Sequence, residues 1–316
     1  MCLQERLKIR GCKTLLAPGQ RVGIVPNTPN INDTALIFEG GGMRASYTAG
    51  VVVTLLEEGL LFADVYGISA GSSHTVNYIS GDIRRSKESF VDFMGEPGTS
   101  GLRTFLTGKG YFNARYIYQE ACMPGEKLVF DFDAFCANPA CAHIESFDAT
   151  AGETVYWTKA DMPDLYMLMT RVRASSTMPW FMPAVVLDGH LYYDGGIGDS
   201  WGLPLAQAKR DGYKKFFVVR TQERGYRKSQ DKHPMLTRAL FPRKKILAER
   251  MLNRWRCYNE ILDELDALER DGKAIVFCPE HMTIKNTTTK PELLEASYAA
   301  GYAQAQRELP GWRSLF

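Results

Sequence analysis

No apolar run in this 316-residue chain approaches the ~20 residues that a membrane-spanning helix needs, so a helical span is not expected. Residues 1–20 also lack an apolar stretch of signal-peptide length. The expectation is an uncleaved, cytoplasmic protein, peripheral at most to the inner membrane face. There is no internal repeat and no low-complexity segment, which sets aside solenoids and disordered tracts. A dominant charge is also missing. Thirty-eight Lys and Arg against 36 Asp and Glu leave a net +2, too little to argue for a nucleic-acid partner. The seven cysteines are odd in number and scattered, and read as thiols in a reducing compartment. Cys136, Cys141 and His143, with Cys122 upstream, come nearest to a metal set, but the C-x4-C-x-H spacing has no second ligand pair. No D-x-[DN]-x-D-G calcium loop occurs. The sequence therefore predicts no metal and no cofactor, and it says nothing of oligomeric state.

What is present is an ordinary globular composition, 45% hydrophobic and 23% charged, in a chain long enough for one large or two ordinary domains. Thr34 to Phe38 predicts a short apolar strand, Gly40-Gly41-Gly42 a turn, and 45–58 a helix with Val51, Val52, Leu55 and Leu56 on one side. Gly59 fits its C-terminus. A second strand over 63–67 and a helix over 70–79 follow. That succession is a right-handed strand-helix-strand unit with a parallel pair. Later strands are predicted at 155–158, 185–187, 191–193, 216–220 and 275–278, and long helices at 244–270 and 291–308. The fold class is α/β: a mainly parallel sheet with helices on both faces, plus a C-terminal helical extension.

The chemistry points to Gly67-Ile68-Ser69-Ala70-Gly71, a G-x-S-x-G pattern between a strand and a helix. A serine on so sharp a turn needs neighbours without bulk, hence Gly67 and Gly71. The turn lifts the Ser69 hydroxyl clear of the backbone, near a helix N-terminus whose dipoles favour negative charge. Acyl transfer also needs oxyanion donors and a base. Gly40, Gly41 and Gly42 end the neighbouring strand, and three successive glycines let backbone N–H groups point into one cavity. Arg44 follows at once, placed to stabilise that turn or the developing charge. The base is less plain. Of five histidines, His74 lies within the helix after Ser69 and faces away, and His190 sits in a hairpin turn. Asp194 precedes Gly195 and Gly196 at a strand end, held in a tight turn. A carboxylate can replace histidine where it is close to the hydroxyl and partly desolvated.

Taken in order, these blocks resemble those of the patatin-like phospholipases. Gly40-Gly41-Gly42-Met43-Arg44 is similar to the G-G-G-x-R block, Gly67 to Gly71 to G-x-S-x-G, and Asp194-Gly195-Gly196 to D-G-[AG]. Ala174-Ser175-Ser176-Thr177-Met178-Pro179-Trp180-Phe181-Met182-Pro183 is similar to the A-S-x-x-x-P-x-x-F-x-P segment before the aspartate. Ala45 stands where many members have Gly. The resemblance covers about 34–221, closest to the bacterial branch with an extra C-terminal helical region. It implies a Ser–Asp dyad with Ser69 as nucleophile and Asp194 as general base, and the Gly40 to Gly42 amides as oxyanion hole. It implies a lipid ester substrate cleaved through an acyl-enzyme.

Three other readings compete. Gly40-Gly41-Gly42-Met43-Arg44-Ala45 also fits a dinucleotide turn, though the second strand lacks the acidic end that a ribose needs. An α/β-hydrolase triad would run Ser69, Asp194, then His233 or His281. A non-catalytic lipid-binding protein on the same fold is the third. The domain reading is an N-terminal extension over 1–33, a catalytic region over 34–225 and a mainly helical region with one strand over 226–316. Within it, 81–150 is loop-rich and a candidate lid. The stretch 224–256 is basic, holding Arg224, Arg227, Lys228, Lys232, Arg238, Arg243, Lys244, Lys245, Arg250, Arg254 and Arg256 against Asp231 and Glu249 alone. It is a candidate contact for an anionic membrane surface, or a solvated face.

Overall fold

The computed structural model describes residues 28–242 and 244–313. The readings made on 1–20, on Cys2 and Cys12, on most of 1–33 and on Arg243 lie outside the described residues.

In chain order the elements are β1 (Thr34–Phe38), α1 (Ala45–Glu57), β2 (Asp64–Ile68), α2 (Ala70–Ser80), α3 (Ile83–Glu88), α4 (Leu102–Leu106), α5 (Phe132–Ala137), β3 (Cys141–Asp148), β4 (Glu153–Trp157), α6 (Leu165–Ser175), β5 (Val185–Leu187) and β6 (His190–Asp194). They continue with α7 (Leu205–Arg210), β7 (Lys215–Val219), α8 (Pro234–Leu240), α9 (Lys245–Arg270), β8 (Ala274–Phe277) and α10 (Pro291–Arg313). One sheet of eight strands runs β5-β6-β3-β2-β1-β7-β8, with β4 also paired to β3. Strands β3, β2, β1, β7 and β8 are parallel, and β4 and β6 are antiparallel to β3. This is the mainly parallel α/β sheet that the sequence predicts.

Period-two alternation decides which helix covers which face. Leu36 and Phe38 of β1 point into a core with Val51, Val52 and Leu55 of α1 and Leu309 and Trp312 of α10. Ala35 and Ile37 point the other way, into a core with Tyr258, Leu262 and Leu265 of α9. The C-terminal residues are thus woven into the sheet, since β8 pairs with β7 and α9 covers a whole face. Helix α10 packs across α1 where Gly301 meets the Tyr47 backbone, a spot where a Cβ would collide. Among the described residues no helix is long and apolar enough to cross a membrane.

The stretch 81–150 is not loop to its end. Its last part forms β3, a buried central strand. Its polar residues hide it in the sequence, because their partners are remote. His143 Nε2 pairs with Asp64 Oδ1 at 2.6 Å, and Glu145 Oε1 accepts from the Ser200 N–H at 3.2 Å. Cys141 and His143 are therefore sheet residues, while Cys136 is exposed on α5. Among the described residues no group of three or more His, Cys, Asp or Glu is placed to hold a metal.

Candidate active site

Strand β3 brings the two main site residues together. Its 141–145 half pairs parallel with β2, so Ile68 stands opposite Glu145. Its 146–148 half pairs antiparallel with β6, so Asp194 stands opposite Ser146. Strand β4 fills the other side over 144–148. Strands β2 and β6 must then share one side of β3 and meet end to end. The chain leaves β2 at Ser69 and β6 at Asp194, so both line one cavity, and the Ser69 hydroxyl is near enough to the Asp194 carboxyl to lower its proton affinity.

Ser69 has φ 56° and ψ −126°, a conformation that costs a non-glycine residue energy and persists only where its surroundings hold it. Those surroundings are specific. The Ser69 N–H donates to Ser175 Oγ at 3.0 Å, and Ser175 Oγ donates to the Glu145 carbonyl at 2.6 Å. The Asp194 N–H donates to the Thr177 carbonyl at 2.8 Å. The end of α6 thereby ties both residues to β3. On the helix side, a Cβ on Gly71 would collide with the Phe38 carbonyl, so glycine lets α2 start hard against β1.

Asp194 is buried, and burial pushes its carboxyl above the ordinary carboxylate range. The Arg254 charge, the Ser69 hydroxyl and the Gly196 N–H, which donates to Oδ1 at 2.7 Å, pull it partly back. A carboxylate with raised proton affinity, facing a hydroxyl, is equipped to take its proton.

The glycine turn departs from expectation at one residue. The Gly40 N–H donates to the Gly202 carbonyl at 3.2 Å, so it is committed to structure and drops out of the donor set. The N–H groups of Gly41 and Gly42 have no acceptor among the described residues. Gly42 has φ +56°, which turns the chain in the left-handed region that glycine favours. Arg44 is half-buried behind the turn, its pKa lowered by burial and partly restored by Glu39.

Two cavities meet at Ser69. One is lined mostly by apolar side chains such as Phe90, Met94, Phe112, Ile117 and Met169. The other holds Asp194, Arg44, Lys228, Arg254 and Tyr258. Gly42, Ser69 and Met178 line both.

None of the five histidines lines either cavity. His74 is buried against Thr48 Oγ1 (2.9 Å) and the Ala45 carbonyl (3.1 Å), and burial lowers it to about 3. His190 pairs with Asp148 at 2.5 Å. His233 precedes α8 without a side-chain capping bond, and both it and His281 are exposed. The basic stretch is largely engaged on the protein itself: Arg224 with Glu269, Arg227 with Asp263 and Asp266, Arg238 with Glu249, Arg250 with Asp199. Lys228 and Arg254 turn towards Ser69 instead.

Sequence motifs give no role to Ser175, Lys228 or Arg254. A signal for Arg254 exists: Leu247, Met251, Tyr258, Leu262 and Leu265 form a helical stripe at three- and four-residue spacing, and Arg254 interrupts it. A cation inside an apolar seam has a buried destination.

Residues 36–209 match the family model described as Patatin-like phospholipase, and 245–316 match one described as a domain of unknown function, DUF6363. The uncharacterised protein YjjU of Escherichia coli K12 is 28% identical over 198 residues, covering 59% of this chain and 51% of YjjU. The chain thus spans about half the length of the curated relative it matches. VipD from Legionella pneumophila has a solved structure with a TM-score of 0.47 and 13% identity, covering 88% of this chain and 67% of VipD. The phospholipase model matches more than half of the chain, which therefore belongs to the patatin-like phospholipase family, a family of lipid hydrolases.

Proposed function

We propose that this protein is a serine acyl hydrolase that cleaves a fatty-acyl ester of a lipid through a Ser69–Asp194 dyad. The observation that carries the reading is that the sheet register brings a strained, buried Ser69 into one cavity with Asp194, a carboxyl whose proton affinity is raised by burial. Asp194 takes the Ser69 proton as the oxygen attacks the ester carbon. The oxyanion is held by the Gly41 and Gly42 amides. Asp194 then protonates the departing alcohol, and water, activated by Asp194, hydrolyses the acyl-enzyme. The apolar cavity takes the acyl chain. Residues of 226–316 belong to the same working unit, because Arg254 and Tyr258 line the cavity beside Asp194.

Contact with a lipid surface falls to exposed apolar residues at the cavity rim rather than to the basic stretch as a whole. Phe181 lines the cavity and Trp180 packs on Phe241, just beyond α8. Asp231, also in the lining, accepts from the His233 N–H and Thr237 Oγ1 and so sets α8 at the rim, with Met235 and Leu236 exposed. The catalytic reading is tested by fatty-acid release from lipid vesicles. Ser69→Ala and Asp194→Asn should each lower kcat by ~10³-fold or more with the fold intact. Turnover by Ser69→Ala close to that of the natural chain contradicts it.

A further inference from the structure

We propose that Arg44, Lys228 and Arg254 form a subsite for the phosphate of a lipid headgroup, beside the Ser69–Asp194 pair. This rests on the hydrolase reading above and assigns the headgroup to named residues, two of which lie outside the phospholipase match.

The three cations reach one cavity from separate parts of the chain: the turn after β1, the loop before α8, and α9. Lys228 and Arg254 both lie outside the residues that match the phospholipase model. None of the three makes an ion pair with an acid among the described residues, although Arg224, Arg227, Arg238 and Arg250 of the neighbouring basic stretch do. The Nε atoms of Arg44 and Arg254 are buried and have no hydrogen-bond partner among the described residues.

The acids lining the same cavity act on these charges from a distance, Glu39 on Arg44 and Lys228 and Asp194 on Arg254, but none forms an ion pair with them. Glu39 accepts from the Thr221 N–H at 2.7 Å and from the Tyr258 hydroxyl, and lies 3.8 Å from Arg220 Nε. Asp231 accepts from the His233 N–H at 2.8 Å and Thr237 Oγ1 at 2.5 Å. Asp194 is turned to Ser69 and Gly196. Three cations are left in a half-buried space, where unpaired charge is costly and an arriving anion relieves both desolvation and repulsion. Lys228 shows that stress: burial and then Arg254 lower it to about 8, with Glu39 pulling the other way and Arg44 adding a smaller push downward.

The placement fits a phosphate ester. A Cβ on Gly196 would come within 2.7 Å of Arg254 Nη2 and 2.9 Å of Asp194 Oδ1, so this cation lies next to the general-base candidate. Ser69 stands where the apolar and cationic cavities join. A glycerophospholipid divides the same way, with an acyl chain on one side of the ester and a phosphate a few bonds away on the other. An acylglycerol offers the second cavity only neutral acceptors and no anion for its cations.

Binding to the Ser69→Ala protein, measured by titration calorimetry, separates this proposal from the hydrolytic one because no turnover is involved. The probes are 1-octanoylglycerol 3-phosphate below its micellar concentration, 1-octanoylglycerol, and inorganic phosphate. The phosphorylated lipid should bind at least ~10-fold tighter than the neutral one, as expected for charge-assisted hydrogen bonds, and the advantage should shrink with salt. Adding Lys228→Gln should remove most of the advantage, and Lys228→Arg should keep it, which guards against a simple packing defect. Equal affinity for the two lipids, or an unchanged advantage with Lys228→Gln, overturns the subsite. Inorganic phosphate binding as tightly as the lipid phosphate overturns the headgroup source in favour of free phosphate. Absence of turnover in the natural chain alongside a retained phosphate preference refutes the hydrolase reading alone.

Discussion

Ile68 and Asp194 pair with consecutive residues of β3, Glu145 and Ser146, from strands that run in opposite directions. That register makes the placement of Ser69 beside Asp194 a property of the sheet. Two strand ends meet on one side of β3, and the residues at that junction are a serine and an aspartate. Register is strongly specified where both faces of a sheet are buried, as here, so the junction is held by the core as well as by local bonds.

Ser175 is the local fastening. Its hydroxyl joins the Ser69 N–H to the Glu145 carbonyl. Ser175→Ala leaves two buried backbone groups without partners, at about 1–3 kcal/mol each. We expect a lower melting temperature and a kcat reduced ~10–100-fold, with a smaller change in KM, because orientation of Ser69 is what is lost. A kcat equal to that of the natural chain contradicts this role.

The acid limb of activity should report Asp194. The residue accepts a proton in the proposed chemistry, so activity rises with pH as its carboxyl ionises. Burial places that ionisation above the ordinary aspartate value. Arg254 holds it down, so Arg254→Gln should move the limb of kcat/KM for a short neutral ester to higher pH. A limb that stays put or moves to lower pH contradicts the assignment.

Glu145 sets a pH dependence of stability distinct from that of activity. Burial raises its carboxyl to about 8. Above the ordinary glutamate range the unfolded chain is ionised while the folded chain keeps the proton. The folded state then binds more protons, and stability falls as pH rises from the ordinary range through about 8. Thermal melts of Glu145→Gln should show a flatter profile over that range and a higher melting temperature than the natural chain at its upper end. Parallel profiles for the two proteins would be inconsistent with a buried, protonated Glu145.

Surface contact makes a separate prediction. Met235 and Leu236 are 84% and 57% exposed on α8 at the cavity rim. Leu236→Asp should lower the ratio of vesicle turnover to dissolved-ester turnover by roughly 10-fold, since an apolar anchor is replaced by a charge. An unchanged ratio removes α8 from the contact.

Much of this was legible in local sequence. β1, the glycine turn, α1 and the Ser69 turn follow one another within a short span, and each is dictated by residues next to it. Asp194 stands out because two glycines follow it. What local reading does not reach depends on remote partners. Strand β3 carries His143 and Glu145, whose polarity makes sense only beside Asp64 and Ser200. Gly40 looks equivalent to Gly41 and Gly42 until Gly202 comes near. Arg254 reads as one more charge in a basic run until α9 is laid on the sheet. The loop-like impression of 141–148 and the unforeseen destination of Lys228 and Arg254 share that cause.

The most direct test of the central claim is labelling with a fluorophosphonate, followed by peptide mapping, in the presence of lipid vesicles. A single adduct on Ser69, lost in Asp194→Asn, is the predicted result, since it requires both an activated serine and working oxyanion donors. No adduct, or an adduct on another serine, contradicts the dyad.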